Sequence, residues 1–310
     1  MARTRADARS GVLVVDKAGG ITSADVVSAA RRALAMSRIG HGGTLDPDAI
    51  GVLPLLIGEA TKLMPYLVEQ TKEYVATIRL GVTTDTQDVT GRVTAEAPVP
   101  ALTRAQIERA VQRFVGVIRQ VPPMYSAVHH EGRRLYEIAR EGGEVPRTAR
   151  EVSVHSIAVE TIALPTVQLR IVCGKGTYVR TLAADLGDAL GCGGAVERLI
   201  RVRVGPFGLA EAVPSSALTV EERGALLARL LPPEAALRDW GVVRLGERDA
   251  SAFLHGQQVA LPMPVGGPYV QVRHANDTFL GIGEVIAAGR RVRPARIVHA
   301  DRSGTRVLPA

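Results

Sequence analysis

An aspartate in a glycine-rich stretch is the first candidate for a reactive group. Residues 40–53 read GHGGTLDPDAIGVL, and Asp46 lies between the glycines and an apolar run. Glycines let a backbone pass close to a ligand, and Pro47 restricts Asp46 to extended conformations. A carboxylate fixed in this way could act as a nucleophile or a base. On spacing alone, a turn aspartate that caps the next helix is the commoner arrangement.

A second carboxylate raises the question of a metal. Asp46 and Asp48 form a D-x-D pair, and such pairs can bind Mg²⁺. No further carboxylate cluster stands near them in the sequence. We therefore expect Asp48 to face solvent, and we expect no metal site and no cofactor site.

Another glycine-containing stretch carries an arginine. Residues 174–187 read GKGTYVRTLAADLG and lead from a strand end into a helix that holds Arg180 in its first turn. A helix start can direct backbone N–H groups and a cation toward an anion. The alternative is a plain strand-to-helix turn whose arginine contacts solvent.

The third candidate is a tyrosine at the start of a strand. Residues 72–74 read KEY, and Tyr74 could stack on a nucleic-acid base. On the pattern alone, a tyrosine in the core or on an edge strand is the commoner arrangement.

The charge balance favours a polyanionic partner. The chain has 310 residues, a net charge of +7 and a pI of about 9.8, which favours nucleic acid ahead of a membrane. The alternative is a basic excess spread thinly over the surface. Lysine occurs only at positions 17, 62, 72 and 175, which suggests that these sites require a compact ammonium group.

The cysteine content and the lengths of the apolar runs indicate the cellular compartment of the protein. Cys173 and Cys192 form neither a disulfide framework nor a metal site, so we expect free buried thiols in a reducing compartment. The start, MARTRADARS, lacks the apolar core of a signal peptide. No apolar run approaches the roughly 20 residues that span a bilayer. We therefore expect a cytoplasmic protein with a flexible tail at residues 1–10.

Local patterns predict alternating strands and helices. Thr22 or Ser23 caps one helix, and Thr103 with Gln106 forms a capping-box signature before another. The predicted strands are 11–15, 73–80, about 151–162, 166–173 and about 196–204. The remaining predicted helices are about 60–67 and 178–190.

Two segments depart from this alternation. Residues 119–150 contain six Arg, two His and four Glu without clear periodicity, which predicts a mobile basic insertion. Beyond a boundary near residues 230–233, residues 240–310 read as short strands with Gly and Pro turns. We expect a small β-rich module there, with Trp240 and Tyr269 in its core.

Taken in order, these stretches resemble the TruB family of pseudouridine synthases over about residues 11–208. The matching motifs are 14–17, 40–53, 72–81, 120–127 with Gly132, Leu135 and Tyr136, 174–187, and Leu199 with 204–207. Two positions depart from the family pattern. Ala18 replaces a usual Pro, which questions the rigidity of that turn, and Ile200 replaces a second Arg that could contact the RNA backbone.

The resemblance implies a catalytic centre. Asp46 matches the family's catalytic aspartate, and Arg180 matches the arginine that pairs with it. Tyr74 matches the tyrosine that stacks on the target base and can take part in proton transfer.

The resemblance also implies supporting positions around the substrate. His41 matches a histidine near the flipped-out nucleotide, and Leu199 matches an apolar residue that lines the uracil pocket. Lys17 matches a first-motif residue that supports the site, and Tyr178 belongs to the arginine-bearing motif on the substrate side.

The fold that the resemblance implies is α/β (α+β), with a mixed, largely antiparallel sheet flanked by helices. The catalytic domain would cover residues 11–232, with 119–150 as an RNA-binding insertion, and 240–310 would form a PUA-like RNA-binding module. The implied reaction is isomerisation of uridine 55 in the T loop of tRNA to pseudouridine, by base flipping and aspartate catalysis, in a monomer without cofactor.

Three alternatives stay open at this point. A relative that modifies another RNA or needs a guide RNA would share the motifs. A tRNA chaperone would bind and refold the tRNA elbow without needing Asp46 for its cellular role. A metal-dependent enzyme would use the carboxylates of Asp46 and Asp48.

Overall fold

A computed structural model of the protein describes residues 9–126 and 128–298. Most of the predicted tail (1–8), Ala127 of the 120–127 motif and the end of the predicted C-terminal module (299–310) lie outside the described residues.

Strands dominate the described chain. In chain order the strands are β1 (Gly11–Lys17), β2 (Ile39–His41), β3 (Ile50–Ile57), β4 (Lys72–Leu80), β5 (Val82–Thr84), β6 (Val93–Glu96), β7 (Gly116–Gln120), β8 (His129–His130), β9 (Arg133–Arg134), β10 (Arg150–Ala163), β11 (Thr166–Cys173), β12 (Gly194–Val204), β13 (Phe207–Gly208), β14 (Val213–Pro214), β15 (Val242–Leu245), β16 (Val259–Ala260), β17 (Tyr269–His274), β18 (Phe279–Ile286) and β19 (Arg291–Ile297). The α-helices are α1 (Ser23–Leu34), α2 (Met64–Glu69), α3 (Arg104–Gln112), α4 (Leu135–Arg140), α5 (Val179–Ala189), α6 (Arg223–Ala228) and α7 (Glu247–Leu254). Short 3-10 helices span Gly58–Leu63, Leu209–Glu211, Ser215–Ala217 and Pro233–Leu237.

The chain divides into two compact units. Unit 1 comprises Met1–Pro47, Val52–Val68 and Val204–Ala310, and unit 2 comprises Asp48–Gly51 and Glu69–Arg203. Both units contain residues of β3, because that strand changes unit after Gly51.

Unit 2 is built on a largely antiparallel sheet. Its strands lie in the order β12-β4-β11-β10-β7, and β11 pairs antiparallel with both β4 and β10. The first residues of β3 add a parallel pairing, with Ile50 opposite Ile200 and Gly51 opposite Arg201. The predicted fold class, α/β with a mixed and largely antiparallel sheet, is thus confirmed.

Helix α1 of unit 1 begins at a complete capping box. The Thr22 hydroxyl accepts from the Asp25 N–H, and the Asp25 carboxylate accepts from the Thr22 N–H at 2.9 Å. Thr22 rather than Ser23 is therefore the cap. The apolar face of α1 packs into a core with β1 and β3, which fixes the segment that precedes β2 and the Asp46 loop.

The C-terminal part of unit 1 is β-rich, as predicted. Five strands lie in the order β15-β17-β18-β19-β16, and the side chains between this sheet and α7 form a separate apolar cluster. Trp240 is half-buried and packs against the larger core of the unit. The core prediction for Tyr269 is wrong, since 37% of this residue is exposed. Its ring stacks on Trp240 at 6.0 Å between centroids.

Candidate functional site

A buried lysine is hydrogen-bonded to the backbone of the loop that carries Asp46. Lys17, at the end of β1, has no exposed surface, and its Nζ donates to the carbonyls of Ala18 at 2.8 Å, Ile21 at 2.7 Å and Pro47 at 2.7 Å. Pro47 directly follows Asp46. The Lys17 ammonium therefore fixes the backbone on one side of the candidate nucleophile, and the supporting role predicted for Lys17 has this physical basis.

The other side of Asp46 is fixed by the start of α1. The Ser23 hydroxyl accepts from the Leu45 N–H at 2.9 Å and donates to the Leu45 carbonyl at 3.2 Å. Gly20 N–H donates to the Pro47 carbonyl at 3.0 Å. Both peptide neighbours of Asp46 are thus hydrogen-bonded to the β1–α1 turn or to the first residue of α1, and Asp46 itself is partly buried.

The position usually occupied by proline in the first motif has a substitute contact. Ala18 N–H donates to the Ser215 hydroxyl at 3.0 Å, a bond that a proline could not make. This bond and the Lys17 bond to the Ala18 carbonyl hold the turn, so the loss of proline does not leave it unsupported.

Close packing explains a glycine before Asp46. A Cβ on Gly42 would lie 2.6 Å from Leu67 Cδ2. The backbone N–H of Gly42 donates to the Pro54 carbonyl at 2.9 Å. His41 is half-buried, and its Nδ1 accepts from the Gly43 N–H at 3.3 Å. The glycines thus let the loop lie against α2 while the His41 ring turns back over the loop backbone.

The D-x-D pair does not gather further carboxylates. Asp48 is exposed, as expected for a solvent-facing side chain. Within residues 9–126 and 128–298, no group of three or more His, Cys, Asp and Glu side chains could hold a metal ion. In the same described part of the chain, no helix has both the length and the apolar character that a membrane span requires.

Arg180, on α5 of unit 2, is 5% exposed and bonded to two loops. Its Nη1 donates to the Thr86 carbonyl at 2.8 Å, and its Nη2 donates to the Tyr125 carbonyl at 2.7 Å. An Asp88 carboxylate oxygen lies 3.7 Å from Nη1. The alternative of a solvent-facing arginine is wrong, because the guanidinium is enclosed by these loops.

Asp88 is a site residue that the sequence did not single out. Its Oδ1 accepts from the Thr86 hydroxyl at 2.9 Å and from the Thr90 hydroxyl at 2.6 Å, so the carboxylate is oriented by its own turn. Residues 85–91 show only a polar turn in the sequence, which gives no sign that one of the acids faces a buried arginine.

Tyr74 and Leu199 lie on neighbouring strands of unit 2. Tyr74 is half-buried on β4, opposite Ile171 of β11, and Leu199 is buried on β12, the strand beside β4. Glu73 braces this region, since its carboxylate bonds Arg170 at 2.8 Å and Arg203 at 3.0 Å. The hydrogen bond from Arg170 is the main reason that the pKa of Glu73 is lowered.

Two buried cations flank these strands. Lys72 is 6% exposed and Arg201 is 1% exposed. Burial, helped by the positive charge of Arg201, lowers the pKa of Lys72 to about 8. The free, buried state predicted for Cys173 and Cys192 is confirmed, and burial raises the pKa of Cys173 to about 11.

The predicted site residues fall into two groups. Lys17, His41 and Asp46 belong to one loop system of unit 1, and Tyr74, Tyr178, Arg180 and Leu199 belong to unit 2. The pairing of Asp46 with Arg180 stays a prediction.

Three family profiles match consecutive segments of the chain between residues 31 and 298. The profile "TruB family pseudouridylate synthase (N terminal domain)" matches residues 31–179. The profile "tRNA pseudouridylate synthase B C-terminal domain" matches residues 180–238, and "Pseudouridine synthase II TruB, C-terminal" matches residues 241–298.

Curated relatives match over nearly their full length. The chain is 42% identical over 295 residues to tRNA pseudouridine synthase B of Pseudomonas aeruginosa (strain UCBPP-PA14), covering 94% of this chain and 96% of the relative. It is 44% identical over 304 residues to tRNA pseudouridine synthase B of Burkholderia pseudomallei (strain 668), covering 96% of this chain and 99% of the relative.

Solved structures share the fold at lower identity. A Cbf5-Nop10-Gar1 complex contains a chain with a TM-score of 0.73 and 24% identity, covering 96% of this chain and 88% of that one. The structure of an H/ACA RNP bound to a substrate RNA that contains 2′-deoxyuridine includes a chain with a TM-score of 0.71 and 23% identity, covering 94% of this chain and 86% of that one.

Proposed function

Because the chain belongs to the TruB family of pseudouridine synthases, we propose that it converts uridine 55 in the T loop of tRNA to pseudouridine. The relatives named tRNA pseudouridine synthase B support tRNA as the substrate. Position 55, base flipping and the use of Asp46 are the finer parts of the proposal.

The bracing of the Asp46 loop is the observation that carries the catalytic assignment. A buried ammonium and a buried serine fix both neighbours of Asp46, and Asp46 itself is only partly buried. The alternative of a turn aspartate that caps the next helix is wrong, because the element after Asp46 is strand β3 (Ile50–Ile57). A preorganised carboxylate is what a nucleophile requires, because holding the reacting group in place lowers the entropic part of the barrier.

The reaction is balanced without a cofactor. The bond between uracil N1 and ribose C1′ breaks, a bond between uracil C5 and C1′ forms, and the proton lost from C5 is matched by one gained at N1. Nothing is oxidised or reduced, and no group leaves the nucleotide. The Asp46 carboxylate either attacks C6 of uracil or acts at the sugar, by attack at C1′ or removal of a sugar proton, and both routes remain open.

The target base must leave its stack before it can react. Extrusion of a nucleotide costs about a few kcal/mol. In the proposal, stacking of the base on Tyr74 and contacts from His41 offset this cost. Leu199 lines the uracil pocket, and Tyr178 also binds the substrate. Arg180 supplies the cation that keeps the carboxylate of Asp46 ionised and directed at the substrate.

Two segments are proposed to bind the rest of the tRNA. The 119–150 insertion places Arg119, Arg133 and Arg150 at exposed positions, where they can contact phosphates. Residues 240–310, whose described part is β-rich, would act as a PUA-like RNA-binding module. We further propose that the protein works as a cytoplasmic monomer.

The proposed function is tested with a bare T-arm transcript and the purified protein. Pseudouridine mapping should find one modified residue, at position 55, in buffer that contains excess chelator. The matched control is a transcript with cytidine at that position, which should remain unmodified. Absence of product on the bare transcript, or a product only when divalent metal is added, would favour the guide-dependent or the metal-dependent alternative.

Tyr74 substitutions should separate stacking from chemistry. A Tyr74→Phe protein keeps the ring but loses the hydroxyl that is proposed to assist proton transfer, so we expect unchanged RNA affinity and a rate lowered by about 100-fold or more. A Tyr74→Ala protein also loses stacking worth about 1–3 kcal/mol, so its RNA dissociation constant should rise as well. Single-turnover rates and filter binding measure the two effects, and normal kinetics of Tyr74→Ala would contradict the stacking role.

A further inference from the structure

A buried glutamine holds the start of the helix that carries Arg180. Gln120, the last residue of β7, is 2% exposed. Its Oε1 accepts from the Tyr178 N–H at 3.0 Å, and its Nε2 donates to the Tyr178 carbonyl at 3.3 Å. One amide therefore bonds both backbone groups of a single residue, which fixes the position and the orientation of that residue.

Tyr178 is the N-cap residue of α5, and its side chain makes no capping hydrogen bond to the helix start. The loop before it contains Gly174 and Gly176, and Gly176 has a φ of +76°. Glycines leave a backbone freer than other residues do. Gln120 therefore adds, from β7, a constraint on the backbone of the residue at which α5 begins.

The same two segments meet a second time at Arg180. Two residues after Tyr178, the Arg180 guanidinium donates to the carbonyl of Tyr125, which lies five residues after Gln120. Gln120 is thus hydrogen-bonded to Tyr178, and Tyr125 is hydrogen-bonded to Arg180. Gln120 and Tyr125 both belong to the 119–150 insertion, so the first residues of the insertion are hydrogen-bonded directly to the start of α5.

We propose that Gln120 is a positioning residue for the isomerisation: its amide sets the start of α5 and thereby the placement of Arg180 during the reaction. The inference rests on the proposed function and adds to it a residue that touches neither the base nor the nucleophile.

Gln271 offers a matched comparison within the same chain. It is 3% exposed and its Nε2 donates to the Leu237 carbonyl at 2.8 Å, in the five-stranded C-terminal sheet. Gln120 and Gln271 are thus both buried amides bound to backbone, and only Gln120 is linked to α5. A purely structural role predicts similar consequences when either side chain is replaced.

The test compares Gln120→Met with Gln271→Met, since methionine is close to glutamine in size and lacks both hydrogen-bonding groups. Single-turnover rates are measured at saturating T-arm RNA, at a temperature where circular dichroism shows both variants folded. We expect Gln120→Met to lower the rate by roughly 10- to 100-fold, as small misplacements of reacting groups do. Its RNA dissociation constant should change by less than about threefold. Gln271→Met should react at the wild-type rate at saturating RNA, because the Gln271 side chain is buried and is not on an RNA-contacting surface.

A double-mutant cycle with Arg180→Lys tests whether Gln120 acts through Arg180. If it does, Gln120→Met should slow the Arg180→Lys protein by less than about threefold, because interacting sites are not additive. Independent effects that multiply would overturn the inference, as would a Gln120→Met rate equal to wild type or an equal loss in Gln271→Met. Any of these three outcomes would overturn the role of Gln120 but would leave the proposed function intact, provided that the wild-type protein forms pseudouridine in the same assay. A wild-type protein that forms none would refute both.

Discussion

Replacing Asp46 with asparagine should reduce the single-turnover rate of pseudouridine formation by about 10,000-fold or more, as loss of a catalytic nucleophile or its charge does elsewhere. Asparagine has nearly the same size and shape, so the bonds of Lys17 and Ser23 to the neighbouring residues can remain. What is lost is the ionised oxygen that attacks the nucleotide or removes its proton. RNA affinity should therefore stay close to that of the wild type.

Asp48 provides the control for this experiment. It lies two residues further along the chain and is exposed, so Asp48→Asn changes the net charge equally without touching the proposed nucleophile. We expect Asp48→Asn to retain the wild-type rate. Loss of activity in both variants would point to the paired carboxylates of a metal site, and retained activity in Asp46→Asn would remove the catalytic assignment.

Local elements of the fold were predictable because their hydrogen bonds join residues close in the sequence. The capping box of Thr103 and Gln106 is formed at the start of α3 as predicted, with the Gln106 amide oxygen accepting from the Thr103 N–H at 2.8 Å. Strands β10 and β11 and helix α5 also lie within a few residues of the predicted bounds. In each case the alternation or the cap is contained in one short segment.

Strand β3 was not predicted, because what makes it a strand lies elsewhere in the chain. It reads IGVLPLLI, and a proline within an apolar run argues against a strand. Its parallel pairing joins Ile50 to Ile200, which lies about 150 residues later. A Cβ on Gly51 would approach the Arg201 carbonyl oxygen to 2.3 Å, so this glycine is explained by a strand that no local pattern reveals.

The site shows the same division between local and distant information. Asp46 could be singled out because its motif is continuous. The scarcity of lysine marked four positions, of which Lys17 and Lys72 are buried whereas Lys62 and Lys175 have side chains that are 30% and 59% exposed. Arg201 is equally buried but was not singled out, since arginine is common throughout the chain. Gln120 belongs to the 120–127 motif, but its bonds to Tyr178, 58 residues away, are not visible in the sequence.

Replacing Lys17 with methionine should cause the largest loss of stability that the structure allows us to predict. Methionine can fill the space of the lysine stem, but it leaves the carbonyls of Ala18, Ile21 and Pro47 without their common donor. The Pro47 carbonyl keeps the Gly20 N–H as a donor, but those of Ala18 and Ile21 lose the Lys17 ammonium. An acceptor that loses its partner costs roughly 1–3 kcal/mol, and the Lys17 side chain that is replaced has no exposed surface, so water can take its place only in part. We expect the free energy of unfolding, measured by urea titration, to fall by about 3 kcal/mol or more.

Lys62 gives the comparison that decides whether Lys17 acts on the site or only on the fold. Its Nζ also donates to a carbonyl, that of Ile297, and pairs with Glu59, but its side chain is 30% exposed. Lys62→Met should therefore cost less than about 1 kcal/mol. At a temperature where both variants are folded, Lys17→Met should react about 10- to 100-fold more slowly, because Asp46 loses the bond that holds the next residue. Equal rates in the two variants would mean that the buried ammonium stabilises unit 1 without positioning the nucleophile.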